Sequence, residues 1–458
     1  MGTTRKSETE PKENIVDDIT EGADIEVEEK SEKENDETLA ALKAKMAAKQ
    51  KEKQMPPEIV EEPTRSIRLG VIGSGQAGSR LAECFYSLGY PSVAINTAKQ
   101  DLQHIQLPDA NKLLLDYGLG GAAKELDIGH AAAETYRDAI NQLVMQKLND
   151  AQVVLFCTSL GGGSGAGSTE IVIDILAELG TPVAVITVLP QSSDDAQTKA
   201  NAVKTLSKLT HMAQNRKIDN LIVVDNAKIE AIYSDVGPLQ FFPVSNRAIV
   251  DPIDKFNTLS AQASAVKGLD PTEFGKLFTD GQGLTVYGKM IVENYQDETA
   301  IAEAVIEDLN GSLLASGFNL KQARYVGAIF SANQKVWDKI PNASVNYAVS
   351  MINDACGNPL GVFKGIYADD SITDDAVHVY SMFSGLGLPD ARIDQLKTEA
   401  KERMALAERK DEERKLTLKV DAEDETVSAA QAVMKKIDAK KSSFGKLHGK
   451  AILDRRKK

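Results

Sequence analysis

The chain has 458 residues, a formal net charge of −14 and 42% hydrophobic residues. That length suggests two or three domains plus tails, and the acidic balance argues against broad nucleic-acid binding by the body. Three widely spaced cysteines, Cys84, Cys157 and Cys356, make a disulfide framework or zinc site an unsuitable reading, and a reducing cytoplasm fits. No apolar stretch approaches the roughly 20 residues of a membrane span.

The elements run as follows. Residues 1–65 are rich in Glu, Asp and Lys without an aromatic residue, and read as a disordered charged arm in which Thr38–Lys53 has a helical pattern. From 66 to 227, short apolar runs alternate with helical segments. Ser66–Ile72, Ser92–Asn96, Lys112–Asp116, Val153–Cys157, Pro182–Leu189 and Leu221–Asp225 read as strands; Ser79–Leu88 and Ile128–Leu148 read as helices. Such alternation predicts a parallel sheet covered on both faces. Asp251-Pro252 reads as the cap and first residue of a helix over Pro252–Lys267, about 24 Å long. Residues 284–388 have another texture, with helix-like Ala300–Ser316, strand-like Tyr325–Phe330, then Val345–Ala355 and Ala376–Phe383. Leu396–Leu416 reads as a long surface helix. After Met434 the chain turns basic and ends Arg455-Arg456-Lys457-Lys458.

Two glycine loops carry the chemistry. Gly73-Ser74-Gly75-Gln76-Ala77-Gly78 follows the first strand. Ser159–Ser168, with Gly161, Gly162, Gly163, Gly165 and Gly167, follows the strand at 153 and precedes a helix. Glycines at a strand-to-helix turn let backbone N–H groups converge on an anion such as phosphate. The bland alternative for each glycine is a tight turn. The first loop matches the dinucleotide pattern G-x-G-x-x-G, but the next strand ends in Asn96, where a dehydrogenase needs Asp or Glu. No Lys follows the glycines, so this is not a Walker P-loop, and protein kinase motifs are absent.

Taken in order, these residues resemble the tubulin/FtsZ superfamily. Ser159–Ser168 is similar to its G-G-G-[ST]-G-[ST]-G signature, with Ala166 at the second hydroxyl position. Gly75–Gly78 resembles the first tubulin loop, while Ala94–Thr97 and Gly118–Ala123 resemble the second and third FtsZ loops. Leu221–Asn226 resembles the strand end that carries a guanine-reading Asn. Leu269–Phe274 is similar to the tubulin loop with the catalytic acid, and Ile366–Leu386 to the last FtsZ strand pair. The mixture is most like the divergent phage or plasmid tubulin-like proteins.

The resemblance implies an α/β fold: a parallel-sheet GTPase domain over 66–251, a central helix and catalytic loop over 252–283, a smaller α/β domain over 284–395, and a charged helix and basic tail over 396–458. It implies GTP with Mg²⁺, held by Gly73, Gly75, Gln76, Ala77 and Asn96, by Gly161, Gly162, Gly163, Ser164 and Gly165, and by Asp194, Asn226 and Asn246. Asp194 or Asp195 stands where FtsZ has a ribose-contacting Glu, and the Arg expected four positions later is Thr198 or Lys199. Glu273 and Asp270 are the implied catalytic acids; as a pattern of their own they read as a helix cap. Gly268 replaces the family's Asn two residues before that Asp. The implied activity is GTP hydrolysis completed at a head-to-tail contact between copies, in a cytoplasmic filament that positions or segregates DNA or phage. Its alternatives are a GTP-binding structural or regulatory protein with little hydrolysis and an FtsZ-like division role. The basic tail, 435–458, would bind DNA, a DNA-bound adaptor or the acidic surface of a neighbouring subunit, or stay solvated and balance the acidic arm.

Overall fold

The apolar runs of the first half become buried strands because they are short, β-branched and bounded by glycine, proline or asparagine. In the computed structural model, which describes residues 64–297, 299–311 and 317–413, ten strands form one sheet. They are β1 (Leu69–Ser74), β2 (Ser92–Asn96), β3 (Lys112–Leu114), β4 (Val153–Ser159), β5 (Val183–Leu189), β6 (Asn220–Asp225), β7 (Leu284–Val292), β8 (Tyr325–Ala332), β9 (Gly361–Ala368) and β10 (Val377–Leu386). The helices are α1 (Gly75–Ser87), α2 (Lys99–Gln103), α3 (Leu126–Thr135), α4 (Arg137–Lys147), α5 (Gly163–Glu178), α6 (Ala196–Gln214), α7 (Asn226–Ile232), α8 (Pro238–Leu259), α9 (Pro271–Thr279), α10 (Ala300–Gly311), α11 (Gln334–Trp337), α12 (Asn342–Ala355) and α13 (Asp390–Glu413).

The strand order is β3-β2-β1-β4-β5-β6-β7-β10-β8-β9. Strands β3 to β7 are parallel, β10 runs antiparallel to β7 and β8, and β8 pairs in parallel with β9. Successive strand residues feed opposite faces. Ile72, Val154 and Phe156 join a core with α5 (Val172) and α6 (Leu206). Leu69, Val71 and Leu155 join another with α1 (Phe85), α8 (Phe256) and α9 (Phe274). The order reverses between β1 and β4, which makes a crevice beyond their carboxyl ends. Both glycine loops open there.

Several elements differ from expectation. The helix expected over 128–148 breaks at Tyr136, whose ψ of 15 lies outside helical geometry and whose hydroxyl donates to the Asp116 carbonyl at 3.2 Å. The central helix does not start at Pro252: α8 starts at Pro238 and runs through both Pro243 and Pro252. Three residues before Pro252, the buried Tyr287 hydroxyl donates to the Ile249 carbonyl at 2.7 Å. The helix ends at Leu259, where the Ser260 hydroxyl turns back to Phe256 O at 2.5 Å. Residues 260–267 then run irregularly to β9, whose Ile366 N–H donates to Lys267 O at 2.8 Å. The final helix is not wholly a surface helix: Ile393, Leu396 and Ala400 are buried. Of the arm at 1–65, residues 1–63 with the Thr38–Lys53 pattern lie outside the described residues, as does the tail at 435–458.

Helix α8 also fixes a long axis. Its 22 residues span about 33 Å. It begins shortly after the carboxyl end of β6 and finishes beside the amino end of β1, where the Asn257 amide both accepts from Ile67 N–H and donates to Ile67 O at 2.8 Å. The loop at 260–270 therefore lies at the end of the sheet opposite the glycine loops.

Helix α1 packs on β4 through Gly78, where an added Cβ would stand 2.1 Å from the Cys157 carbonyl oxygen. Gly78→Ala is expected to destabilise the chain by about 1–3 kcal/mol or more through overpacking. Gly275→Ala, within α9 where a Cβ meets open space, should instead stabilise by about 0.5–1 kcal/mol. Urea unfolding of both variants against wild type checks the opposite signs.

Candidate functional site

Two helix N-termini meet in the crevice. Gly75, the first residue of α1, has φ +70, and a Cβ there would stand 2.9 Å from the Gly165 backbone nitrogen in the first turn of α5. A side chain at either position would force the two turns apart. Beneath them the fully buried Ser74 and Ser168 hydroxyls share a 2.7 Å hydrogen bond. That contact turns Ser74 inward, so it does not cap α1, and Gly162 has no side chain with which to cap α5. Neither helix has an acidic residue in its first turn. By contrast, Asp195 caps α6 by accepting from Thr198 N–H, and Asp270 caps α9. The first-turn N–H groups of α1 and α5 thus present two partial positive charges with no side-chain acceptor, which is the requirement of an anion site.

The predicted loop residues come together at this point. Gly73 and Gly75 pack inward, Gln76 is exposed, and Ala77, Gly162 and Ser164 are half-buried. Most of the glycines also serve packing. A Cβ on Gly163 would meet Ala122 Cβ at 2.8 Å, one on Gly161 would meet Thr198 Cγ2 at 2.4 Å, and one on Gly165 would meet Ser74 O at 2.8 Å. The Ser164 hydroxyl shares a 2.5 Å hydrogen bond with Thr97. Asn96 is fully buried; its amide donates to Asp101 at 3.1 Å and accepts from Ala98 N–H at 3.1 Å, so it builds the turn that presents Thr97.

The third loop closes over α5. Ala123 and Lys124 have φ of +46 and +66, an uncommon left-handed pair without glycine. Asn201 holds this conformation by donating to Lys124 O at 2.7 Å and to Gly161 O at 3.2 Å. Lys124 pairs with Asp195. The carboxyl group of Asp195 is raised by partial burial but lowered by its bonds from Lys124 and Thr198, and the balance holds it down at about 2. Asp194 accepts from Gln191 N–H at 2.7 Å and shapes the loop after β5.

At the next strand end, Leu189 of β5 lies beside Asp225 of β6. Asp225 accepts from Ala227 N–H at 3.1 Å and caps α7, whose first residue is the half-buried Asn226. Asn246 does not open the central helix; it lies inside α8, half-buried. Asp270 and Glu273 stand apart from all of these, at the far end of α8. There they form a reciprocal capping box: Asp270 accepts from Glu273 N–H at 2.8 Å, and Glu273 accepts from Asp270 N–H at 3.1 Å. Lys267 stands 3.9 Å from Glu273. Among the described residues, no cluster of three or more His, Cys, Asp or Glu side chains is arranged to hold a metal, and no helix is long and apolar enough to cross a membrane.

Sequence reasoning missed Lys124, Asn201 and Arg392, whose roles depend on contacts across 71, 40 and 167 positions respectively. Only Thr97 carried a sequence signal, its place directly after a strand-ending Asn.

Asp195→Asn keeps a capping side chain but removes the charge. Because the folded pKa is depressed, the charge stabilises above the unfolded carboxylate value and is lost as pH falls through about 2. Both partners are half-exposed, so the cost at neutral pH is expected to stay below about 1 kcal/mol. The gap between the variant and wild type, followed by urea unfolding, should be flat from about pH 5 to 8 and narrow only on further acidification.

Residues 68–234 match the Tubulin/FtsZ family, GTPase domain. The tubulin-like protein TubZ of Bacillus cereus is 23% identical over 275 residues, covering 56% of this chain and 62% of the relative. The tubulin-like protein CetZ of Pyrococcus horikoshii is 29% identical over 199 residues, covering 41% of this chain and 52% of the relative. The chain thus spans less than two thirds of these relatives' lengths. A GTPγS-form protofilament of TubZ from Bacillus thuringiensis serovar israelensis superposes with a TM-score of 0.68 at 21% identity, covering 78% of this chain and 96% of the other. Crevice, uncapped helix ends and sequence match coincide: residues 68–234, which hold both glycine loops, are the part of this chain that is similar to the Tubulin/FtsZ family GTPase domain.

Proposed function

We propose that this chain binds GTP with Mg²⁺ between its glycine loops and polymerises head-to-tail, with hydrolysis completed by a second copy. The observation that carries this reading is the separation of parts. The uncapped N-termini of α1 and α5 lie at one end of the sheet, and Asp270 with Glu273 lies at the other, beyond α8. An acid so placed serves the phosphates only of another molecule, and a contact between unlike faces propagates into a filament. The resemblance to a TubZ protofilament supports the same arrangement.

Backbone N–H groups of Gly75, Gln76 and Gly162–Gly165 would hold the phosphates, with the Ser164 hydroxyl beside them. Mg²⁺ would be carried by the phosphates. Asn226 offers an amide donor and acceptor to the guanine edge. The carboxylate of Glu273 would orient or deprotonate water, with Asp270 beside it. A second reading, binding with little hydrolysis, is favoured by the capping box, which already engages both carboxylates. The basic tail at 435–458 would bind DNA or a DNA-bound adaptor and tie the filament to a segregation role.

Purified protein with GTP and Mg²⁺ is expected to scatter light and to release phosphate at a rate per molecule that rises with protein concentration. Glu273→Gln retains an acceptor for Asp270 N–H, so it separates capping from charge. It should polymerise yet lose about 100-fold or more in turnover. Undiminished turnover removes Glu273 as the acid, and wild-type phosphate release near background supports the second reading. Truncation before Lys435 should abolish DNA co-sedimentation, which in the full chain should weaken steeply with salt; unchanged co-sedimentation removes the tail's role.

A further inference from the structure

The last described helix reaches the candidate base site. Arg392, in the first turn of α13, donates from Nε to Asp225 Oδ2 at 2.7 Å and from Nη2 to Oδ1 at 3.2 Å. The side chains are 12% and 9% exposed, so this is a largely buried, two-bonded pair bridging 167 positions. A cation in the first turn of a helix is electrostatically misplaced unless an anion faces it. Asp225 is that anion, and it also caps α7, the helix that opens with Asn226. One carboxylate therefore joins α13 to the backbone that aims the Asn226 amide.

Further along, α13 is anchored to the adjoining loop. Glu399 pairs at 2.6 Å with Lys199, which is 1% exposed, and this bond holds the Glu399 carboxyl below its usual range. Arg403 donates to Ser192 O at 2.9 Å and also to the Asp194 carbonyl. The docked helix thus holds the loop after β5 and the carboxyl end of β6.

We propose that Arg392 is a positioning residue for guanine selection: through Asp225 it fixes the orientation of Asn226, so that base reading depends on a docked α13. The proposal rests on the guanine-nucleotide reading above. Only a planar guanidinium spans both carboxylate oxygens; a lysine supplies the charge without the fork.

The test is calorimetric titration of the full chain with GDP and with ADP. Wild type should prefer GDP. Arg392→Met should reduce the GDP-to-ADP affinity ratio about tenfold, the cost of misaligned base hydrogen bonds. Arg392→Lys should recover part of it. Asn226→Ala should lower the ratio as well, and adding Arg392→Met to it should lower it no further. A purely structural role would weaken GDP and ADP alike and leave the ratio unchanged, which overturns the proposal. Asp225→Asn, nearly isosteric and still able to cap α7, should reproduce the Met variant's loss; if Arg392→Met does not fold, an unchanged ratio in Asp225→Asn overturns the proposal. A wild type that shows no preference for GDP overturns the guanine reading, and the proposal with it. A clear wild-type preference unaffected by either variant overturns the proposal alone.

Discussion

The contact between Gly75 and Gly165 is the constraint on which the rest of the site depends. Two helices can aim their positive ends at one crevice only if the turns that start them approach at backbone distance, and a side chain on either glycine would prevent it. The buried Ser74–Ser168 bond locks the approach and removes the residue best placed to cap α1. Close packing and anion readiness thus have one cause. The uncapped N–H groups of the two first turns supply partial positive charge from the backbone, and no lysine follows the glycines in either loop.

Around this pair the fold is organised as a polarised body. The strand order reverses between β1 and β4, so the loops after these strands share a crevice. Helix α8 then carries the chain to the other end, through two prolines. A chain with two uncapped helix N-termini at one end and a capping pair of carboxylates at the other has unlike ends. That asymmetry is what a head-to-tail assembly requires.

Much of this was legible as pattern. Buried parallel strands are written as nearly continuous apolar runs, and six of them were placed within a few residues because burial on both faces leaves little compositional freedom. The glycine loops were legible because glycine is demanded by sterics that few other contexts impose. The limits of α8 were not. An Asp-Pro pair is an ordinary helix start, yet here it lies inside a helix that begins at Pro238. Likewise α13 reads as a solvated helix because its charges dominate. Three of those charges, Arg392, Glu399 and Arg403, turn to partners 167, 200 and 209 positions away.

What the sequence determined by itself was local: where strands end, where glycine strips a turn, and the order of motifs resembling tubulin and FtsZ. These depend on short-range sterics and on burial, which act within a few residues. The tertiary structure alone decided which of those glycines also serve packing, that Asn96 builds a turn while Thr97 meets Ser164, and that Asp225 answers to Arg392. Those outcomes depend on which backbones and charges the fold brings within hydrogen-bond reach, and a linear sequence does not specify that distance.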